Sequence, residues 1–404
     1  MTNATPALLA LLLVCSLPAM SLVAADPGGP DESIQDTSVQ QTPIEVDETT
    51  NRLPIGESRT AYTETTPNLG SLFASGDDEL RVDHEQYVIA EREFDDASDA
   101  EREEMIETAH AQLRDRIEAL EEREREIVQG HANGDRSDGE LVQMVLRNYN
   151  EAIALENALE TLDDRSNQVP DYSLPRGQEL ADGMALDFHT TSLRTNLAAA
   201  SESPQTQQQY DLRIQTSQDG YRISTVDGSA YVTETVRFDN RNPSAEDQFA
   251  DTEEQEYPAL NYASELYPWA DEHGSDHYIT SDGIYEVRFA HDQGDLELYL
   301  DGGSGEVHRE IQSISIGSLP TTTSDSWSDG DLEMMLNETP ANGPVEVTVT
   351  DSADGVESAT ISIDDHEVGT TDEDGTVWIL PPDRSYEVTA ETDDGTVTGT
   401  VSGG

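Results

Sequence analysis

Histidines beside carboxylates are the first places in this chain where side chains could do chemistry. His273 and His277 stand four residues apart, with Asp271, Glu272 and Asp276 next to them. On a helix that spacing puts two imidazoles on one face and would suit a metal ion. Gly274 between them favours a loop, which breaks the arrangement. Glu306, His308 and Glu310 alternate, so a strand would carry all three on one face, with His291 close in sequence. A carboxylate–histidine pair can serve acid–base catalysis. In so acidic a chain, the same pair is expected by chance on a surface, and that reading is adopted. The third candidate is "TTDEDG", Thr370 to Gly375. A calcium loop would need an acid at Thr370 and a bidentate acid at Pro381. Neither is there, so the stretch reads as an Asp374-Gly375 turn. G-x-S-x-G, H-E-x-x-H, P-loop and G-x-G-x-x-G patterns are missing. The sequence therefore predicts no catalytic residue, no cofactor and no metal site. Asn337-Glu338-Thr339 is a glycosylation sequon, a candidate for modification in an exported protein.

The solvent implied by the composition is unusual. The chain has 404 residues with 85 acids against 21 bases, a net charge of −64. Every base is arginine. That much charge repels itself in dilute buffer, whereas at molar salt the Debye length falls to about 3 Å. A nucleic-acid partner is excluded, because displacing counterions from phosphates needs a basic surface. The acid excess, the lack of lysine and the scarcity of aromatics resemble proteins of halophilic archaea.

The N-terminus reads as an export signal over residues 1–25. "ALLALLLVCSLPAMSLVAA" is apolar from Ala7, is broken by Pro18 and ends in Val23-Ala24-Ala25, which places cleavage between Ala25 and Asp26. The usual positive charge ahead of the apolar run is missing. An uncleaved anchor is the alternative, since the run approaches the length of a membrane span. Cys15, the one cysteine, lies within it. Its removal would leave no disulfide, thiolate nucleophile or zinc–thiolate site.

The elements that would position any chemistry follow from periodicity. Residues 26–78 are rich in Pro, Thr, Ser and acids without a period, and read as a flexible, disordered acidic spacer. Residues 79–168 read as a helical hairpin, an antiparallel coiled coil. Capping boxes Ser98/Glu101 and Ser137/Glu140 open its two helices. Ile106, Ala109, Leu113, Ile117, Leu120 and Ile127 stripe the first helix. Leu141, Val145, Tyr149, Ala152, Leu155, Leu159 and Leu162 stripe the second. The stripe serves either self-association or packing on the hairpin itself and the next domain; the second reading is preferred. Residues 172–318 alternate as strands with Asp-Gly turns around one short helix near Leu260 to Trp269, an antiparallel α+β domain. Residues 319–340 read as a linker and 341–404 as a β-sandwich of short strands. The fold class is thus α+β multidomain. Around "TVWIL", Trp378 and Leu380 should face one way, Val377 and Ile379 the other.

Two resemblances attach to these segments. Thr371, Asp372, Gly375, Trp378, Pro381, Pro382, Tyr386 and Val388 resemble the pattern of carboxypeptidase regulatory-like (transthyretin-like) domains, although the usual glycine before the tyrosine strand is missing. The likeness implies a non-catalytic accessory domain on an exported protein. The helix-then-meander order with "LYLDGGSGEV" weakly resembles PepSY-type modules. As a whole, the chain resembles uncharacterised exported haloarchaeal proteins without an assigned activity. The expectation is a secreted or cell-surface, non-enzymatic protein that binds or scaffolds, either through an envelope partner or by self-association of the hairpin. A membrane association would require an uncleaved N-terminus. An exported hydrolase or protease-regulating protein is the alternative.

Overall fold

The computed structural model describes residues 53–64, parts of 76–84, 92–202, 211–250, 257–270, 275–340, 343–351, 354–355, 358–382 and 384–402. The export signal, Cys15 and the Ala25–Asp26 junction lie outside these residues. So do Asp271, Glu272 and His273.

The two long helices follow the sequence closely. After a short helix α1 (Arg92–Asp96), α2 runs Asp99–Ala132 and α3 runs Asp138–Ser166. At the start of α2 the Glu101 carboxylate accepts the Ser98 N–H at 2.9 Å. At α3 the Glu140 N–H donates to Ser137 Oγ, and the Glu140 carboxylate accepts the Ser137 N–H. These contacts satisfy donors that a helix start leaves open. Two further helices, α4 (Arg176–Asp187) and α5 (Ser192–Glu202), complete the helical layer and correct the expectation of strands around a single short helix over 172–318. The expected stripe on α2 is buried throughout, while Tyr149 and Leu159 on α3 are partly covered. One end of the hairpin packs on itself and on Leu186 of α4. The other end packs Ile127, Val128, Leu141 and Val145 onto strands, together with Leu193 and Leu197 of α5. The apolar stripe is therefore covered from within the chain.

The strands beneath form one eight-stranded antiparallel sheet. They are β1 (Arg59–Glu64), β2 (Asp211–Thr216), β3 (Gly220–Asp227) and β4 (Ala230–Arg237), then β5 (Ser275–Ser281), β6 (Ile284–His291), β7 (Gly294–Asp301) and β8 (Glu306–Ser315). The spatial order is β1-β2-β3-β4-β8-β7-β6-β5, two meanders joined through β4 and β8. The opposite face is covered by helix α6 (Pro258–Leu266), whose Ala259 and Ala263 pack with Tyr267 on Val287, Leu298 and Val307.

Two expectations about the chain between elements are corrected. The stretch 26–78 was expected to be a flexible spacer, yet residues 59–64 pair along β2 and residues 53–55 are clamped on the sheet. Leu53 N–H donates to Glu310 at 2.9 Å, and the Pro54 carbonyl accepts from Arg237 at 2.6 Å. Asp78 is buried against Arg147, with Nη2–Oδ1 at 2.8 Å. A short strand whose partner lies about 150 residues away leaves no local signal. The supposed linker 319–340 instead holds two strands, β9 (Thr322–Asp329) and β10 (Leu332–Glu338). They start the C-terminal sandwich, which continues with β11 (Val345–Asp351), β12 (Asp354–Gly355), β13 (Thr360–Ile363), β14 (His366–Thr370), β15 (Thr376–Ile379), β16 (Tyr386–Glu391) and β17 (Thr396–Val401).

One sheet of the sandwich runs β12-β11-β10-β9 with β15 also on β11; the other runs β14-β13-β16-β17. Leu336, Val347, Val349, Ile361 and Val388 fill the space between them. Trp327 of β9 lies across Gly399 of β17, where an added Cβ would fall about 2.1 Å from the indole ring. Any larger residue there must displace the tryptophan. As expected, Val377 and Ile379 face the sandwich core, while Trp378 and Leu380 face outward. They dock the sandwich on the eight-stranded sheet, against Tyr231, Ile314, Ile316 and Leu319. Arg213 Nη1 seals that contact on the Pro381 carbonyl at 2.9 Å.

Candidate functional site

The densest group of ionisable side chains lies between the hairpin and the sheet. Its members come from five elements and from the segment that follows α4. Glu124 sits on α2 one turn beyond Leu120, so it continues the apolar stripe. His189 follows α4, Arg194 is on α5, Tyr221 on β3, Glu234 on β4 and Arg309 on β8. All are buried. Arg194 Nη1 donates to Glu124 Oε2 at 2.8 Å and Nη2 donates to Glu234 Oε1 at 2.7 Å. Arg309 Nη1 reaches Glu234 Oε1 at 2.8 Å and the Phe188 carbonyl at 2.8 Å. The Tyr221 hydroxyl lies 2.6 Å from Glu124 Oε1 and 2.8 Å from Glu234 Oε1. Thr191 donates to Glu234 Oε2 at 2.7 Å.

The electrostatics follow from burial and compensation. Burial works to raise the Glu124 carboxyl, but Arg194 and His189 hold it well below the ordinary range. Burial and then Arg194 and Arg309 act the same way on Glu234, which is also lowered. Burial pushes His189 down despite Glu124. His189 Nδ1 lies 3.2 Å from Glu124 Oε2 and 3.0 Å from Arg194 Nη1, between the carboxylate and the guanidinium. Burial drives the Tyr221 hydroxyl far up. Two arginines thus neutralise two carboxylates in a sealed volume. None of the described cavities is lined by Glu124, Glu234 or Tyr221. This arrangement fixes the hairpin on the sheet.

The residues singled out in the sequence are not brought together. His277 is on β5, with Nε2 at 3.4 Å from Glu286 Oε1. His291 closes β6, where its ring meets Trp269 edge-on at 4.7 Å. Glu306, His308 and Glu310 were expected on one face of a strand, and this is corrected. Register on β7 passes from Tyr299 opposite Arg309 to Leu300 opposite Val307, so His308 is the extra residue of a β-bulge. A bulge shifts the alternation by one. His308 and Arg309 therefore share the helical face, while Glu310 points the other way. Glu310 accepts from the Tyr267 hydroxyl at 2.6 Å and from Leu53 N–H. Burial raises its carboxyl. Its task is to hold the N-terminal segment.

His308 has its own consequence. It packs edge-on to Phe188 at 5.1 Å, and its Nε2 has no hydrogen-bond partner among the described residues. Burial pushes it well below the ordinary imidazole value, with Arg241 and Arg309 adding to the effect. The unfolded chain takes up that proton near pH 6.5 and the folded chain does not. The contribution to stability is full above that pH and is lost as pH falls. His189 and His131 shift in the same direction. Melting temperatures in molar KCl should therefore fall less steeply from pH 7 to pH 5 in His308→Phe than in the wild type. Equal slopes would show that His308 has no part in the decline.

Asp372 explains the "TTDEDG" stretch. Its Oδ1 accepts from Asp374 N–H, Thr376 N–H and the Thr376 hydroxyl at 3.0, 3.0 and 3.1 Å. The backbone hydrogen bond from Thr376, first among these, lowers the carboxyl. Gly375 takes a φ of 74°. The turn is real but it is not a hairpin: β14 belongs to one sheet and β15 to the other. The acid caps a connection that crosses between layers. Asn337 lies within β10; its Nδ2 donates to Glu346 at 2.9 Å and its Oδ1 accepts from Thr323. The sequon's Thr339 donates to the Pro344 carbonyl at 2.8 Å. Among the described residues, no three His, Cys, Asp or Glu side chains gather as a metal set. No described helix is long and apolar enough to cross a membrane.

A helical layer on an antiparallel sheet, with a β-sandwich docked on the sheet's other face, defines the class of protein. The chain belongs to the family described as Domain of unknown function (DUF7096), whose model matches residues 1–206, half of the chain. A Family of unknown function (DUF7094) matches residues 212–320, and an archaeal fibronectin-III type-like domain matches residues 323–399. No curated protein and no solved structure matches the chain. The third match replaces the carboxypeptidase regulatory-like expectation and includes the two strands taken for a linker. Both kinds of domain are β-sandwiches, which is why turn and strand residues resembled the wrong one. The first two matches meet in one sheet, since β1 of the first pairs with β2 of the second.

Proposed function

We propose that this chain is an exported, non-enzymatic cell-surface or envelope protein of an extreme halophile, acting by binding or scaffolding. The observation that carries this reading is the burial of its densest acid–base network, in which each charge is satisfied by another and holds layers together. The fibronectin-III type-like sandwich supports a role in contacts, and the charge of −64 supports a high-salt setting. The partner is an envelope component or a second copy of the chain. Cell fractionation followed by N-terminal sequencing tests the localisation. A surface or medium form beginning near Asp26 is expected; a cytosolic protein with intact Met1 would overturn it.

A second reading, an exported hydrolase or protease-regulating protein, has one observation in its favour. Arg288 joins Glu286 at 2.7 Å and Glu297 at 3.0 Å, with His277 alongside. Burial raises the Glu286 carboxyl, as a general acid would need. A hydrolytic activity lost in Glu286→Gln would favour this reading.

A further inference from the structure

We propose that Asn337 carries an N-linked oligosaccharide, attached before β10 closes into the sandwich. The proposal rests on the export reading above, because only a chain that leaves the cytosol meets the transferase. Asn3 and Asn337 are the asparagines that open an Asn-x-Ser/Thr pattern, and Asn3 falls within the export signal. Asn242 precedes Pro243, which bars transfer.

Asparagine is depleted in strands, so its presence in β10 calls for a reason. Leu332, Met334 and Leu336 point into the sandwich core, which leaves Glu333, Met335 and Asn337 on the outer face. Asn337 is partly exposed there. Across the sheet it stands opposite Thr323 of β9 and Glu346 of β11. The Thr323 hydroxyl donates to its Oδ1 at 2.7 Å, and its Nδ2 donates to Glu346 Oε2 at 2.9 Å. These bonds use the carbonyl oxygen and one of the two amide hydrogens. The other hydrogen makes no hydrogen bond among the described residues. A glycosidic bond at Nδ2 replaces that hydrogen and leaves both existing contacts in place. Ser326, Ser328 and Glu333 on the same face are exposed, so the sugar would extend over short or solvated side chains. Asn337, Glu346 and Trp378 stand in register on β10, β11 and β15. The attachment point is thus two strands, about 10 Å, from the tryptophan that docks the sandwich.

The donor is an oligosaccharide esterified to a lipid phosphate, delivered by a membrane transferase. Nδ2 bonds to the anomeric carbon, and the bond from that carbon to the phosphate oxygen breaks. The amide hydrogen leaves as a proton, which balances the charge on the released lipid phosphate. Thr339 sets the order of events. It is 6% exposed, and its hydroxyl donates to the Pro344 carbonyl at 2.8 Å. β10 is also paired on both sides, to β9 and to β11. A transferase reads the asparagine together with the threonine hydroxyl, and the folded sandwich withholds that hydroxyl. Transfer therefore belongs to the emerging chain, before β10 and β11 pair.

The test is the mass of peptide 331–350, released by cleavage before aspartate from the full chain purified from the cells that make it. A series of masses above the bare peptide, spaced by single sugars, is expected. It should vanish in Asn337→Gln and in Thr339→Val, and persist in Thr339→Ser, which keeps the hydroxyl. Folded chain made without a transferase and then mixed with membranes of those cells should stay bare. An exported chain with a bare peptide would overturn the glycan and leave the localisation standing. A cytosolic chain with intact Met1 and bare Asn337 would overturn both. Sugar that survives Asn337→Gln would overturn the site, and transfer to the folded chain would overturn the order.

Discussion

Arg194→Met is expected to cost about 3–5 kcal/mol of folding stability, the range seen when one member of a buried ion pair is removed. Arg194 is fully buried and bridges Glu124, on the helical layer, to Glu234, in the sheet. Methionine fills much of the arginine's volume, so the loss is mainly electrostatic. It leaves two carboxylates and Arg309 in a volume closed to water. Arg309 already binds Glu234 at 2.8 Å and approaches Glu124 only to 3.5 Å. Glu124 thus keeps the Tyr221 hydroxyl and His189 but loses its close guanidinium. The double variant Arg194→Met, Glu124→Gln removes the carboxylate's charge and should recover part of the loss, a coupling typical of side chains in direct contact. Urea melts in molar KCl measure both variants. A loss below about 1 kcal/mol for Arg194→Met would show that the network does not hold the hairpin to the sheet.

The two long helices, α6 and most of the strands were legible in the sequence, because each is announced by its own residues, whereas α4 and α5 lie in a segment read as strands around one short helix near Leu260. Capping boxes mark α2 and α3, and period-two patterns mark β2 to β4 and β6 to β8. What escaped has partners far away in sequence. β1 has little apolar content, and its pairing with β2 closes a loop of about 150 residues. β9 reads as serines, threonines and aspartates around Trp327, whose value lies in covering Gly399. β10 did carry a signal, since Leu332, Met334 and Leu336 alternate into the core.

The buried network was concealed for a different reason. Glu124 lies in "EEREREIV", which looks like a solvated helix face. The steps Leu113, Ile117, Leu120, Glu124 and Ile127 nevertheless place it on the buried stripe, and that spacing was the available sign. The bulge at His308 had none. Its alternation looks regular, and only the pairing with β7 shows that Glu310 has changed face.

Lowering KCl from molar to about 0.1 M is expected to unfold the protein, or to bring its melting point close to room temperature. The Debye length grows from about 3 Å to about 10 Å over that range, so neighbouring surface acids begin to act on one another. The ratio of 85 acids to 21 arginines understates the imbalance at the surface. Arg194, Arg213, Arg222, Arg237 and Arg309 are buried and cannot offset surface acids. Their partners show how they are used: carboxylates between layers, and the carbonyls of Leu53, Pro54 and Pro381 where the N-terminal segment and the sandwich dock. Buried pairs are screened little by salt, so the network should outlast the rest of the fold as salt falls. The outer face of the hairpin, with Glu118, Glu122 and Glu126 exposed or half-exposed along α2, should respond first. Circular dichroism across a KCl series would show helical signal falling before strand signal. A spectrum and melting point indifferent to salt would separate this composition from any need for a saline environment, and would remove the halophilic part of the proposed function with it.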